Sequence, residues 1–343
     1  MERSILIIYT GGTIGMKQDP VDFTLKPFNF GQILSEVPEI RKFVCRVDTY
    51  SFSPLIDSSD AQPEFWIDLA RLIKKEYANY DGFVVLHGTD TMSFTASALS
   101  FMLENLEKPV VFTGSQLPIG MLRTDGKENL ISAVEIASAA DEQGRPIVPE
   151  VTVFFDSHLY RGNRTIKYSA ENFWAFRSEN APALADTGIH IKYNIDEIRY
   201  PKQYGNPLKI SETLDTDVAI LKIFPGMREN MVRALFATEG LRAVILETFG
   251  SGNAPTQKWF LDIISEADRR GLIIMNITQC IAGCVDMEAY ATGIELKKMG
   301  VVSGYDSTLE AALAKLFYLM GKYADNDVVK RELNKNLRGE ISI

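Results

Sequence analysis

"ILIIYTGGTIG", residues 5–15, is the stretch on which the reading of the fold turns. Its first five residues are apolar and rich in β-formers, with no alternation of polar positions. That pattern marks a strand buried on both faces, as in a parallel sheet covered by helices. The run then breaks into paired glycines flanked by Thr10 and Thr13. Runs of the same kind recur at 83–87, 110–113, 151–155, 218–223, 243–248 and 272–277. Segments with apolar residues at helical spacing alternate with them. In "PEFWIDLARLIKKEY" the residues Phe65, Trp66, Leu69, Leu72, Ile73 and Tyr77 share one face. "TASALSFMLENL", "NLISAVEIASAA", "ENMVRALFA", "TQKWFLDIISEADRRG" and "TLEAALAKLFYLM" read the same way, with Gly271 as a helix stop. Strand alternating with helix means an α/β fold.

The chain of 343 residues is long enough for two domains. The alternation lapses between residues 189 and 213, where the chain is polar and carries Pro201, Gly205 and Pro207. The expected division is a larger N-terminal domain over 1–190, a linker over 191–213, and a smaller C-terminal domain over 214–343. Each is expected to hold a mainly parallel sheet flanked by helices. A net charge of −9 argues against nucleic acid or an anionic membrane as partner, since both need a basic field. Cys45, Cys280 and Cys284 show no zinc or redox spacing, and an odd count suits a reducing compartment. The apolar run near the start is too short for a signal peptide, and no stretch approaches a membrane span. A cytoplasmic protein is expected.

The glycine loop fails as a dinucleotide fingerprint. The frame Thr10-Gly11-Gly12-Thr13-Ile14-Gly15 lacks the first glycine, and "MKQDPVDFTLKPFN" after it has no helical period. A Walker loop is absent as well. Two readings of Thr13 stay open at this point: a filler in a tight strand-to-loop turn, or a reactive hydroxyl at the carboxyl end of a strand. On the second reading, the helix-free segment that follows is a candidate lid.

Other strand ends carry similar chemistry. "HGTDT", residues 87–91, precedes a helix that Asp90 or Thr91 would cap. In "DSSD", Asp60 reads as the cap of the next helix, leaving Asp57, Ser58 and Ser59 spare. "TGSQ" puts Ser115 after another strand, and "GNRTIK" places Lys167 beyond a polar loop. Taken together, "TGGTIG", "HGTDTM", "TGSQ" and "GNRTIK" resemble the bacterial-type L-asparaginases, with the nearest likeness to the cytoplasmic type I enzymes. The resemblance runs over essentially the whole chain. It implies hydrolysis of L-asparagine to L-aspartate and ammonia without metal or organic cofactor, in a homo-oligomer, dimer or tetramer. By matching position it implies Thr13 as nucleophile, with Thr89, Asp90 and Lys167 as the accompanying catalytic group. It also implies Asp57, Ser58, Ser59, Asp90 and Ser115 around the substrate.

The residue types suit that chemistry. A threonine hydroxyl needs a positioned proton acceptor. His87, at the end of an apolar strand, reads as structural. Desolvation makes a lysine a better base, while a neighbouring carboxylate works against it. Lys167, Asp90 and Thr89 are therefore expected to share a proton rather than supply one simple base. Asp90 is expected to meet the substrate ammonium, and Ser58 with backbone N–H groups its α-carboxylate. Glutamine is one methylene longer, so only weak glutaminase activity is expected.

The chain departs from the family pattern in places. Many periplasmic relatives carry a lid tyrosine where this chain has Phe23 and Thr24, and a glutamate from the neighbouring subunit where this chain has "AGCVDMEAY", with Cys284 nearby. Ile166 and Glu247 stand where allosteric type I enzymes place a threonine and an arginine, so little or no asparagine activation is expected there. Two rival functions are weighed: the asparaginase-like subunit of a tRNA-dependent amidotransferase, and a non-catalytic amino-acid sensor. The first usually carries an extra amino-terminal domain, for which the strand opening at Ile5 is expected to leave no place. The second is disfavoured by intact Thr13, Thr89, Asp90 and Lys167.

Overall fold

The computed structural model describes residues 2–18, 25–27, 36–289 and 291–343. The chain divides into two compact units, Met1–Ile210 and Ser211–Ile343, each with its own apolar core.

In the first unit the apolar run 5–9 lies within strand β1 (Arg3–Tyr9). Residues Ile5 to Tyr9 are all at most 3% exposed, so both faces of the strand are covered. Each such side chain contributes about 1.5–3 kcal/mol of burial energy. The other strands of its main sheet are β2 (Cys45–Ser51), β3 (Gly82–Leu86), β4 (Val110–Thr113), β5 (Val151–Phe155), β6 (His158–Arg161), β7 (Ala185–Thr187) and β8 (Ile191–Tyr193). They form one eight-stranded sheet in the order β8-β7-β6-β5-β4-β3-β1-β2. From β2 through β5 neighbours are parallel: Ile7 faces Thr49 on one side and Val84 on the other. Val85 faces Phe112, and Phe112 faces Val153. The edge from β6 to β8 is antiparallel. Helices α1 (Pro63–Glu76), α2 (Met92–Met102) and α3 (Gly126–Ser138) complete the unit.

The parallel strands run 2-1-3-4-5 in chain order across the sheet, so the direction of build reverses between β1 and β3. Open α/β sheets bind ligands at the carboxyl ends of the strands, at such a reversal. The turn after β1 carries Thr13, and the turn after β3 carries Thr89 and Asp90.

Three features differ from the sequence reading. Strand β2, "CRVDTYS", has no apolar run, because it is an edge strand with half-exposed or exposed side chains. The stretch read as a linker, 191–213, carries sheet at both ends: β8 pairs with β7, and Lys209–Ile210 pairs with Leu103–Glu104. Its polar sequence reflects exposed edges. Asp60 does not cap α1. Pro63 starts that helix after Gln62, and Asp57 instead caps the short turn Ser58–Asp60. In the candidate lid, Met16–Gln18 pairs with Leu25–Pro27. Phe23 and Thr24 lie outside the described residues.

The second unit is built on β9 (Val218–Lys222), β10 (Ala243–Thr248), β11 (Ile273–Thr278) and β12 (Val302–Ser303), sequential and parallel. Its helices are α4 (Glu229–Phe236), α5 (Lys258–Arg269), α6 (Ala291–Lys298), α7 (Leu309–Lys322) and α8 (Asn326–Leu333). Gly271 ends α5 in a left-handed conformation, φ 82°, with Leu272 N–H bonded back to Ala267 O at 3.0 Å. Among the described residues no helix is long and apolar enough to cross a membrane.

Candidate active site

The site is assembled by close approach of strand-end backbones. Gly12 holds φ 90°, a conformation that side-chain-bearing residues rarely adopt. A Cβ there would lie 2.6 Å from Gly88 Cα. A Cβ on Gly88 would in turn lie 2.5 Å from Ser58 Oγ. The turns after β1 and β3 and the loop before α1 therefore press together where three glycyl or seryl positions leave room. Hydrogen bonds lock them: Thr10 N–H donates to Leu86 O at 3.0 Å, Ile56 N–H to Thr10 O at 2.8 Å, and Thr91 Oγ1 to Ser58 O at 2.6 Å. Thr13, half-buried, follows Gly12 directly and opens the short turn Thr13–Gly15. Its turn thus abuts the loop that carries Thr89.

Lys167 comes from a different part of the sheet. At the end of β6, the buried Arg161 donates to buried Glu150, Nε to Oε2 at 2.7 Å and Nη2 to Oε1 at 3.2 Å. A short turn, Gly162–Arg164, packs under α2 and delivers Ile166–Lys167 into a two-stranded ladder with Phe176–Arg177. Lys167 Nζ donates to Thr89 Oγ1 at 2.9 Å and also to Asp90 Oδ1. The lysine is 20% exposed and the aspartate 61%, so the amine faces inward and the carboxylate faces water.

The other expected contacts divide. Ser58 is buried against Gly88 at the same strand ends. Asp57 accepts from Ser59 N–H at 3.0 Å and Ser59 Oγ at 2.9 Å, which holds its carboxyl below the usual range. These two side chains are therefore occupied with each other. The Ser115 hydroxyl donates to Leu117 O at 2.5 Å and is spent inside its own loop.

His87 lies directly behind the cluster, 2% exposed. Its Nδ1 is 2.7 Å from Gly88 O, an acceptor, so Nδ1 carries the proton. Nε2 then accepts from Thr95 Oγ1 at 3.0 Å, and Thr95 accepts from Trp66 Nε1 at 3.1 Å. Burial pushes the imidazole pKa down to about 4. His87 is thus neutral and braces the Gly88–Thr89 peptide. The sequence signalled its burial but not the Trp66–Thr95 relay, whose members are 29 residues apart. Among the described residues no group of three or more His, Cys, Asp and Glu side chains gathers as a metal ion needs.

Residues 4–199 match the family described as asparaginase, N-terminal, and residues 217–333 the glutaminase/asparaginase C-terminal domain. The chain belongs to the asparaginase family. This family member is 43% identical to L-asparaginase 1 of Escherichia coli strain K12, covering 99% of this chain and 98% of that one. It is 42% identical to the 60 kDa lysophospholipase of Mus musculus, covering 100% of this chain and 63% of that longer protein. The crystal structure of L-asparaginase I from Vibrio cholerae O1 biovar eltor superposes with a TM-score of 0.90 at 39% identity, over the full length of both chains. In this asparaginase-family chain, Thr13, Ser58, Thr89, Asp90 and Lys167 all belong to the first unit.

Proposed function

We propose that the chain is an L-asparagine amidohydrolase that uses Thr13 as nucleophile. The observation that carries this reading is the Lys167 ammonium bonded to both Thr89 and Asp90, beside the Thr13 turn at the reversal point of the sheet. Thr13 Oγ attacks the side-chain carbonyl carbon of asparagine. The C–N bond breaks, and the threonine proton leaves on ammonia by way of the Thr89–Lys167–Asp90 group. Water then adds to the acyl-threonine, releases aspartate and returns the proton to Thr13. Asp90 pairs with the substrate ammonium, and Ser58 with nearby N–H groups takes the α-carboxylate. The Thr89 N–H, steadied by His87 through Gly88 O, stabilises the oxyanion by about 3 kcal/mol. The methylene count favours asparagine, with weak turnover of glutamine. The protein works in the cytoplasm as a homo-oligomer.

Ammonia release measured with a coupled assay on L-asparagine, L-glutamine and D-asparagine tests the reading. Lys167→Met is expected to lower kcat by about 10²–10⁴-fold with little change in KM, since the loss falls on proton transfer. A near-normal kcat in that variant refutes the assignment.

A further inference from the structure

Thr13 and Lys167 reach the site from distant strands. β1 and β6 are separated in the sheet by β3, β4 and β5, so strand pairing alone does not set the gap between the two residues. The loop joining β4 to α3 spans that gap. At one end, Ile119 N–H donates to the carbonyl of Ile14, the residue after Thr13, at 3.3 Å. At the other, Gln116 Nε2 donates at 3.1 Å to the carbonyl of Asn172, inside the hairpin that carries Lys167. Just before Gln116, Gly114 lies so close to the His87 carbonyl that a Cβ would sit 2.5 Å from it.

The loop is also stiff. The Asp125 carboxylate accepts from Gln116 N–H at 2.9 Å and Leu117 N–H at 3.1 Å. The hydroxyls of Ser115 and Thr124 converge on Leu117 O, and Asn129 Nδ2 holds Gly114 O at 3.0 Å. A member stiff in itself and bonded at both ends acts as a spacer.

We infer that this loop fixes the separation of the Thr13 turn from the Lys167 hairpin, with Gln116 and Asp125 as positioning residues that set the preference for asparagine over glutamine. The inference rests on the amidohydrolase reading above. Its physical basis is differential. An alignment error near 1 Å costs about 10²-fold in rate. Asparagine fits the set spacing, whereas glutamine presents its carbonyl one methylene further along and already bears that cost. Loosening the spacer therefore penalises asparagine more.

Gln116→Ala removes the bond to Asn172, and Gln116→Glu sets an acceptor against an acceptor at the same length. Gln116 is half-exposed, so both variants are expected to fold, checked by thermal melting. Asp125→Asn is a third variant that weakens the pin itself. In each, kcat on asparagine is expected to fall about tenfold with KM within about twofold, and the asparagine:glutamine ratio of kcat/KM to fall at least about fivefold. An unchanged ratio in both Gln116 variants overturns the inference, whether or not kcat drops, since a merely structural loss lowers both substrates in parallel. A wild-type enzyme that releases no ammonia from asparagine overturns the amidohydrolase reading instead.

Discussion

His87 shows how one buried residue ties the site to acid stability. Its imidazole is wholly enclosed, with its ring nitrogens bonded to Gly88 O and Thr95 Oγ1. Its folded pKa is lowered from 6.5 to about 4. In the unfolded chain the ring takes a proton below about 6.5, while the folded protein refuses it until about 4. Its contribution to stability is therefore intact above pH 6.5, falls as pH drops, and is lost by pH 4. The full loss is on the order of 3 kcal/mol. Urea unfolding at several pH values is expected to show this decline, and His87→Gln to remove part of it. NMR titration showing the ring protonating near pH 6.5 in the folded protein would contradict the buried, neutral assignment. At this scale the motifs were legible: the paired glycines after β1 marked a tight turn, while the close backbone contact of Gly12 with Gly88 emerged only from the structure. The fate of Asp57, Ser59 and Ser115 was not legible, because a short polar side chain bonds whatever backbone group its turn brings near.

Among the elements, the strands buried on both faces were plain in the sequence, whereas β2 and β7–β8 were not. An edge strand needs no apolar run. The eight-residue α6 and α8 were also missed: each holds three apolar residues, against five in the equally short α4. Helix α7 was recognised by its apolar face, but its pattern hid an ion pair. Lys315 and Glu340 are 1% and 0% exposed and 2.6 Å apart. Lys315 Nζ also donates to Leu333 O at 2.8 Å and Lys335 O at 2.6 Å, so its three protons each have an acceptor. Glu340 accepts the N–H groups of Leu337 and Arg338. This knot fastens the segment after α8 onto α7. Glu340→Ala leaves a buried ammonium without its counter-charge and is expected to cost about 3–5 kcal/mol in urea unfolding. The double variant Lys315→Met with Glu340→Leu is expected to recover most of that loss, because it removes both desolvated charges. A single variant as stable as wild type would show the pair to be idle.

Over the whole molecule, the two units keep separate cores, and the residues proposed for chemistry all come from the first. The net charge of −9 sets a general electrostatic character that repels polyanions. The protein is expected to flow through phosphocellulose at about 0.15 M salt and low ionic strength alike, since binding phosphates needs clustered cations. Retention that falls steeply with salt would expose a basic surface that the composition conceals.

The amino-acid sequence by itself determined the alternation of buried strands with amphipathic helices, the two-part division and the glycine-bearing strand ends. These depend on neighbours close along the chain, where apolar periodicity and backbone freedom are written directly. Only the tertiary structure decided which strand ends meet. The reversal between β1 and β3, the bond from Lys167 to Thr89 across 78 positions, and the spacer from Ile14 to Asn172 all join residues far apart in sequence. Strand order and long-range hydrogen bonds follow from packing the whole unit, a property that no local pattern carries.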